Sequence, residues 1–153
     1  MERRELERGE IVAVIGGVLL VASLFLAWYS LGNTAAYIAS CRHPAGSCSG
    51  WDSLGPERFL LIIAALTPLV LLWVIVQRVA LPWPRGELTA VIALVALTII
   101  VFRGIIDRPG WPSGEVGIGI GWFVALLGGL LILGGSLSRM HGAGRRRKPP
   151  GML

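Results

Sequence analysis

Four long apolar runs separated by polar stretches set the pattern of this chain. Residues 11–31, 59–77, 88–106 and 116–137 contain 21, 19, 19 and 22 positions, and Arg103 is the only charge among them. A helix rises about 1.5 Å per residue and bilayer hydrocarbon is roughly 30 Å thick, so about 20 apolar residues suffice to cross. Lipid offers no hydrogen bonds, so each run must satisfy its own backbone. Runs this long and continuous predict helices rather than barrel strands. The expected fold is all-α: a polytopic membrane protein with a four-helix transmembrane bundle over residues 11–138, including an outer loop at 32–57. Tails at 1–10 and 139–153 flank it.

The ends of the runs agree. Glu10, Glu57, Glu87 and Glu115 stand at or just before the four starts, where a carboxylate meets the positive end of the helix dipole. Arg78, Arg103 and Arg139 stand at the far ends of the last three, where a cation is favoured. Pro56 suits a first helical turn, and Pro68 falls mid-run, where a kink is expected.

Only 15% of the 153 residues are charged and 54% are hydrophobic, against about 25% charged in a soluble domain. The net charge of +5 does not point to nucleic acid, because the basic residues flank apolar runs and form no stripe with interleaved aromatics. They read instead as topology. Arg3, Arg4, Arg8, Arg78, Arg85, Arg139, Arg145, Arg146, Arg147 and Lys148 fall on one side, and Arg42, Arg58, Arg103 and Arg108 on the other. Ten against four places both termini in the cytoplasm. A signal peptide in the first run is disfavoured, since the run is long and no clean small-x-small cleavage site follows. The lipoprotein-like Ile38-Ala39-Ser40-Cys41 is separated from the run by a mixed stretch.

The outer loop carries both cysteines, Cys41 and Cys48, with Pro44 and Gly46 between them to turn the chain. Outside the cytoplasm such a pair predicts a disulfide. A zinc or copper site on Cys41, His43 and Cys48 is the competing reading, but it offers only three ligands at an unfamiliar spacing. A redox centre would need a Cys-x-x-Cys pair, which is absent from the sequence. Trp51, like Trp28, Tyr29, Trp83 and Trp111, is expected to anchor at headgroup level. The alternative makes Trp51 and Asp52 a recognition patch for an external partner.

Arg103 lies about 5 Å from the outer end of its run, within reach of water. Asp107 follows one turn later, and either Asp107 or Asp52 is its expected partner. Gly117, Gly121, Ala125 and Gly129 recur every four residues on the fourth helix, and Gly9, Ala13 and Gly17 begin a similar row on the first. Such stripes let helices approach closely. Packing within the chain is the expected use, with a homo-oligomer or a larger membrane partner as the alternative. Arg145, Arg146, Arg147 and Lys148 are expected to fix topology and to touch anionic lipid headgroups.

Several short runs together carry a resemblance. They are Ser23-Leu24-Phe25-Leu26-Ala27-Trp28-Tyr29-Ser30, Ser49-Gly50-Trp51, Phe102-Arg103-Gly104-Ile105-Ile106-Asp107-Arg108-Pro109-Gly110 and the glycine-rich fourth helix. The chain resembles small four-helix membrane proteins of actinobacteria, which implies a bacterial plasma membrane and no assigned activity. Claudin-like proteins are similar in topology, with four helices, cytoplasmic ends and a cysteine pair in the first outer loop. Their Gly-Leu-Trp signature precedes the cysteines, whereas Trp51 follows them here.

No enzyme, cofactor or metal is expected. His43 and His141 fall on opposite sides of the membrane by this topology, and no Ser/His or carboxylate pair in the runs suggests hydrolysis. The expected function is association, as a small subunit or scaffold of a membrane complex or through the outer loop. A carrier or channel for a small solute or lipid is the alternative, and it calls for polar groups near the midplane.

Overall fold

The computed structural model describes residues 8–32, 38–39, 41, 46–77, 87–111 and 113–145. Among them, four helices are long and apolar enough to cross a membrane: Arg8–Phe25, Glu57–Val74, Glu87–Ile106 and Ile120–Arg139. In chain order the elements are α1 (Arg8–Phe25), β1 (Ala27–Leu31), β2 (Ser47–Ser49), the single-turn α2 (Gly50–Ser53) and α3 (Glu57–Val76). Then come α4 (Glu87–Val101), β3 (Val116–Ile118) and α5 (Ile120–Arg145). The helices run alternately up and down. α1 packs against α3 and α5, α4 packs against the same two, and the α1–α5 seam is the most extensive.

The fold is mostly helical, but the all-α expectation omits a three-stranded antiparallel sheet, ordered β2-β1-β3. It caps the end of the bundle where α1 and α4 finish and α3 and α5 begin. β1 sits in what reads as the tail of the first apolar run. The helix stops at Phe25, where Leu26 N–H donates to the Ser23 carbonyl in a turn. Trp28 and Tyr29 then enter a strand, the conformation that large aromatic side chains favour. Tyr29 pairs with Cys48 on one side and with Ile118 on the other. The register slips between Ala27 and Tyr29, and the bulge turns Trp28 inward.

Trp28 and Tyr29 are therefore not headgroup anchors. Both are fully buried. The Trp28 indole N–H donates to the Ser23 carbonyl at 2.8 Å. Glycines make room for its ring: a Cβ on Gly50 would lie 2.5 Å from the indole nitrogen, and one on Gly121 2.6 Å from its Cδ1. Trp111, by contrast, is exposed, and Trp83 lies outside the described residues.

The small-residue rows also pack differently from expectation. Gly117 belongs to β3, where it faces Ser30. Gly121 holds Trp28, Ala125 is fully buried, and Gly129 faces Leu97 of α4. Between α1 and α5 the close backbone approach uses a seven-residue spacing. Gly9 meets Gly135, and Gly16 meets Gly128, with a Cβ on Gly16 only 2.6 Å from the Gly128 carbonyl oxygen. Gly17 turns instead toward Ala65 and Pro68 of α3. A seven-residue repeat keeps one face toward an antiparallel partner over several turns, as in coiled-coil packing.

Candidate functional site

The polar groups of the cap end converge where α4 finishes. Its last turn widens into a π-turn over Phe102–Ile106, in which Asp107 N–H donates to the Phe102 carbonyl at 2.8 Å. Widened turns of this kind leave carbonyls without their usual helical donors, and frequently mark functional positions. Three carbonyls at this end are met by side chains. The Trp122 indole donates to Ile100 O, the Tyr29 hydroxyl to Arg103 O, and Arg108 Nε to Gly104 O, each at 2.8 Å. Gly104 has no side chain because the Trp122 ring occupies the place where a Cβ would stand.

Arg103 lies at the centre of this arrangement. Its guanidinium donates to Asp107 Oδ2 at 2.8 Å and makes a second ion pair with Glu57 at the start of α3. Asp107 is thus the partner expected from the sequence, whereas Asp52 is not. The Asp52 carboxylate accepts from Ser49 Oγ at 3.0 Å, and the Asp52 N–H donates back to the same oxygen. Ser49 caps α2 through this exchange, so Asp52 serves its own turn.

Glu57 reads from sequence only as a dipole cap. The signal for its second role is topological: antiparallel neighbours set the N-terminus of one helix beside the C-terminus of the next. Tyr29, read as an anchor, is likewise part of the knot. Burial pushes its phenol up to about 12 from an ordinary 10, because the phenolate would have to surrender its water.

Trp51 and Arg58 form a second group on the rim of the cap. The Trp51 ring stacks on Phe25, with centroids 5.8 Å apart. The Arg58 guanidinium carbon lies 4.8 Å from the Trp51 ring and 5.0 Å from that of Phe59. Arg58 also donates to the Trp51 carbonyl at 3.1 Å. Trp51 and Asp52 are sequence neighbours, yet the structure gives them separate contacts rather than one patch.

Cys41 and Cys48 lie at disulfide distance, with Cα atoms 5.8 Å apart. Cys48 is buried in β2 beside Tyr29 of β1, so the bridge fixes the edge strand to residue 41. His43, the third residue of the competing metal reading, lies outside the described residues. Among those described, no three His, Cys, Asp or Glu residues gather to hold a metal. In the basic tail, Arg145 ends α5, and Arg146, Arg147 and Lys148 lie outside the described residues.

This chemistry is that of a cross-link. The guanidinium is occupied by two carboxylates and the phenol is committed to a carbonyl. The knot joins β1, α3, α4 and α5 without presenting a nucleophile beside a base. Set against protein-family models, curated proteins and solved structures, the chain matches none of them.

Proposed function

We propose that the chain is a multi-pass membrane protein that acts by association, as a small subunit or scaffold of a membrane complex or through its cap. In this reading the cap faces outward, both termini are cytoplasmic, and the membrane is the plasma membrane. The excess of basic residues on the side of the termini supports that orientation.

The observation carrying the reading is the apolar interior. Leucine, isoleucine and alanine fill it, including Leu20, Leu61, Ala65, Ala93, Ile100 and Ile132. The buried hydroxyls of Ser23 and Ser136 donate to carbonyls of their own helix at 2.6 and 2.7 Å. Thr89, near the far end, is the buried hydroxyl without a partner among the described residues. Glu10 and Arg139 are also buried at that end, and polar groups confined to one end make no path for a polar solute, since transport calls for polar or ionisable groups near the midplane. Large apolar side chains cover the outside of every long helix, among them Ile15, Val18, Val70, Trp73, Val91 and Phe123. Hydrocarbon suits such a surface and water does not.

The second reading, a lipid carrier, is favoured by a lateral groove of about 320 Å³ lined by Leu94, Leu97, Thr98, Val101, Phe102 and Ile106. Cross-linking in intact membranes, followed by gentle extraction, separates the two. A protein recovered at fixed stoichiometry supports the subunit. Recovery of the chain alone, together with lipid exchange between vesicles that contain it, would replace that reading with the carrier.

A further inference from the structure

Arg58 differs from the other described arginines of the cap. Arg103 is paired with two carboxylates, and Arg108 donates to two carbonyls. Arg58 makes one hydrogen bond, to the Trp51 carbonyl, and has no carboxylate within ion-pair distance among the described residues. Its Nε is enclosed and without a protein acceptor. The nearby carboxylates are committed elsewhere, Glu57 to Arg103 and Asp52 to Ser49. The charge thus stands uncompensated, with its plane near the Trp51 and Phe59 rings.

Those two rings, and Phe25 stacked on Trp51, are themselves uncovered. Phe25 is 67% exposed, Phe59 53% and Trp51 36%, at the level where α1 ends and α3 begins. An unpaired guanidinium beside exposed aromatics is suited to a ligand that is anionic at one end and apolar at the other. The guanidinium fork matches phosphate oxygens, and it is more weakly hydrated than an ammonium. We infer that Arg58, supported by Trp51, binds the phosphate of a glycerophospholipid in the cap-side leaflet, whose acyl chains pass over Phe25 and Phe59. The site lies at the opposite end of the bundle from Arg145, where α5 ends. It rests on the membrane reading above, and it is independent of whether a protein partner exists.

The test has two stages. Extraction is read first: a chain that disperses without detergent overturns the membrane reading and this site together. For the detergent-extracted full chain, native mass spectrometry with added phosphatidylglycerol then compares wild type, Arg58→Gln and Arg58→Lys. Thermal melting of each variant reports its folding. Arg58→Gln is expected to retain about fivefold less lipid, the change one cation near an anionic surface provides. Arg58→Lys is expected to fall between the two, and it supplies a folded comparison should the glutamine variant melt. The basic tail contributes equally to all three.

Diacylglycerol, which has the chains but no phosphate, is expected to bind wild type weakly, and inorganic phosphate is expected not to compete. Retention of phosphatidylglycerol equal to wild type in a folded Arg58 variant overturns the site, as does diacylglycerol binding as well as phosphatidylglycerol. Displacement by inorganic phosphate would assign the position to free phosphate instead and overturn the lipid.

Discussion

Tyr29 lies at the junction of sheet and bundle, and its buried phenol makes the folded protein sensitive to alkali in a definite direction. The neutral form is favoured in the folded state, so its contribution to stability is whole below pH 10 and is lost as pH rises through about 12. That span corresponds to about 2–3 kcal/mol. The difference in phenolate absorbance between wild type and Tyr29→Phe is expected to titrate near 12. A midpoint at the ordinary value of 10 would mean that water reaches the hydroxyl. The pair of Glu57 and Arg103 is similarly testable, since their side chains are only 25% and 23% exposed. Glu57→Gln and Arg103→Gln are each expected to cost about 1–3 kcal/mol in denaturant titrations in micelles, and the double variant less than their sum. Additive losses would mean the two groups do not interact. From sequence, Arg103 with Asp107 was legible, because four residues along a helix bring side chains together. Glu57 and Tyr29 were not, because their proximity to Arg103 depends on which helices become neighbours.

The long helices were legible as elements because continuous apolar runs of that length admit little else. Their ends were less so. Residues 26–31 are as apolar as the helix before them, and only the adjacent Trp28 and Tyr29 hint at a strand. The stretch Val116-Gly117-Ile118-Gly119-Ile120-Gly121 carries a clearer signal, an alternation of period two, masked by its fusion to the apolar run of α5. The glycines divide in the same way. A four-residue spacing is conspicuous on paper, whereas contact follows the seven-residue set at Gly9, Gly16, Gly128 and Gly135. Gly128→Ala is therefore expected to lose about 1–3 kcal/mol through overpacking against Gly16 and Leu20. Gly134, with open space around it, provides the control: Gly134→Ala is expected to be neutral or to gain about 0.5–1 kcal/mol from helix propensity. Equal effects at the two positions would refute the seam.

At the scale of the molecule, the cap and the bundle are one unit, since β1 and β3 are extensions of α1 and α5 and the third strand, β2, is held by the Cys41–Cys48 bridge. Reducing that bridge is expected to lower stability by about 2–3 kcal/mol in the chain-entropy model, read as a shift in the denaturant midpoint with and without a membrane-compatible reductant. Two reactive thiols in the untreated protein would remove the bridge. Sidedness is the remaining large-scale expectation, and it rests on counting basic residues rather than on packing. A reporter fused after residue 153 is expected to read cytoplasmic, and an external signal would invert the topology.

The placement of β1 between the sheet's other two strands also bears on how the protein is made. β1 leaves the ribosome early, but β3, which covers one of its edges, and Gly121, which receives Trp28, are synthesised some ninety residues later. Until then the nascent chain holds an unpaired strand edge and an uncovered indole. A polypeptide interrupted before residue 116 would accordingly be a substrate for quality control as a whole, because β1 and Trp28 cannot be covered without β3 and Gly121.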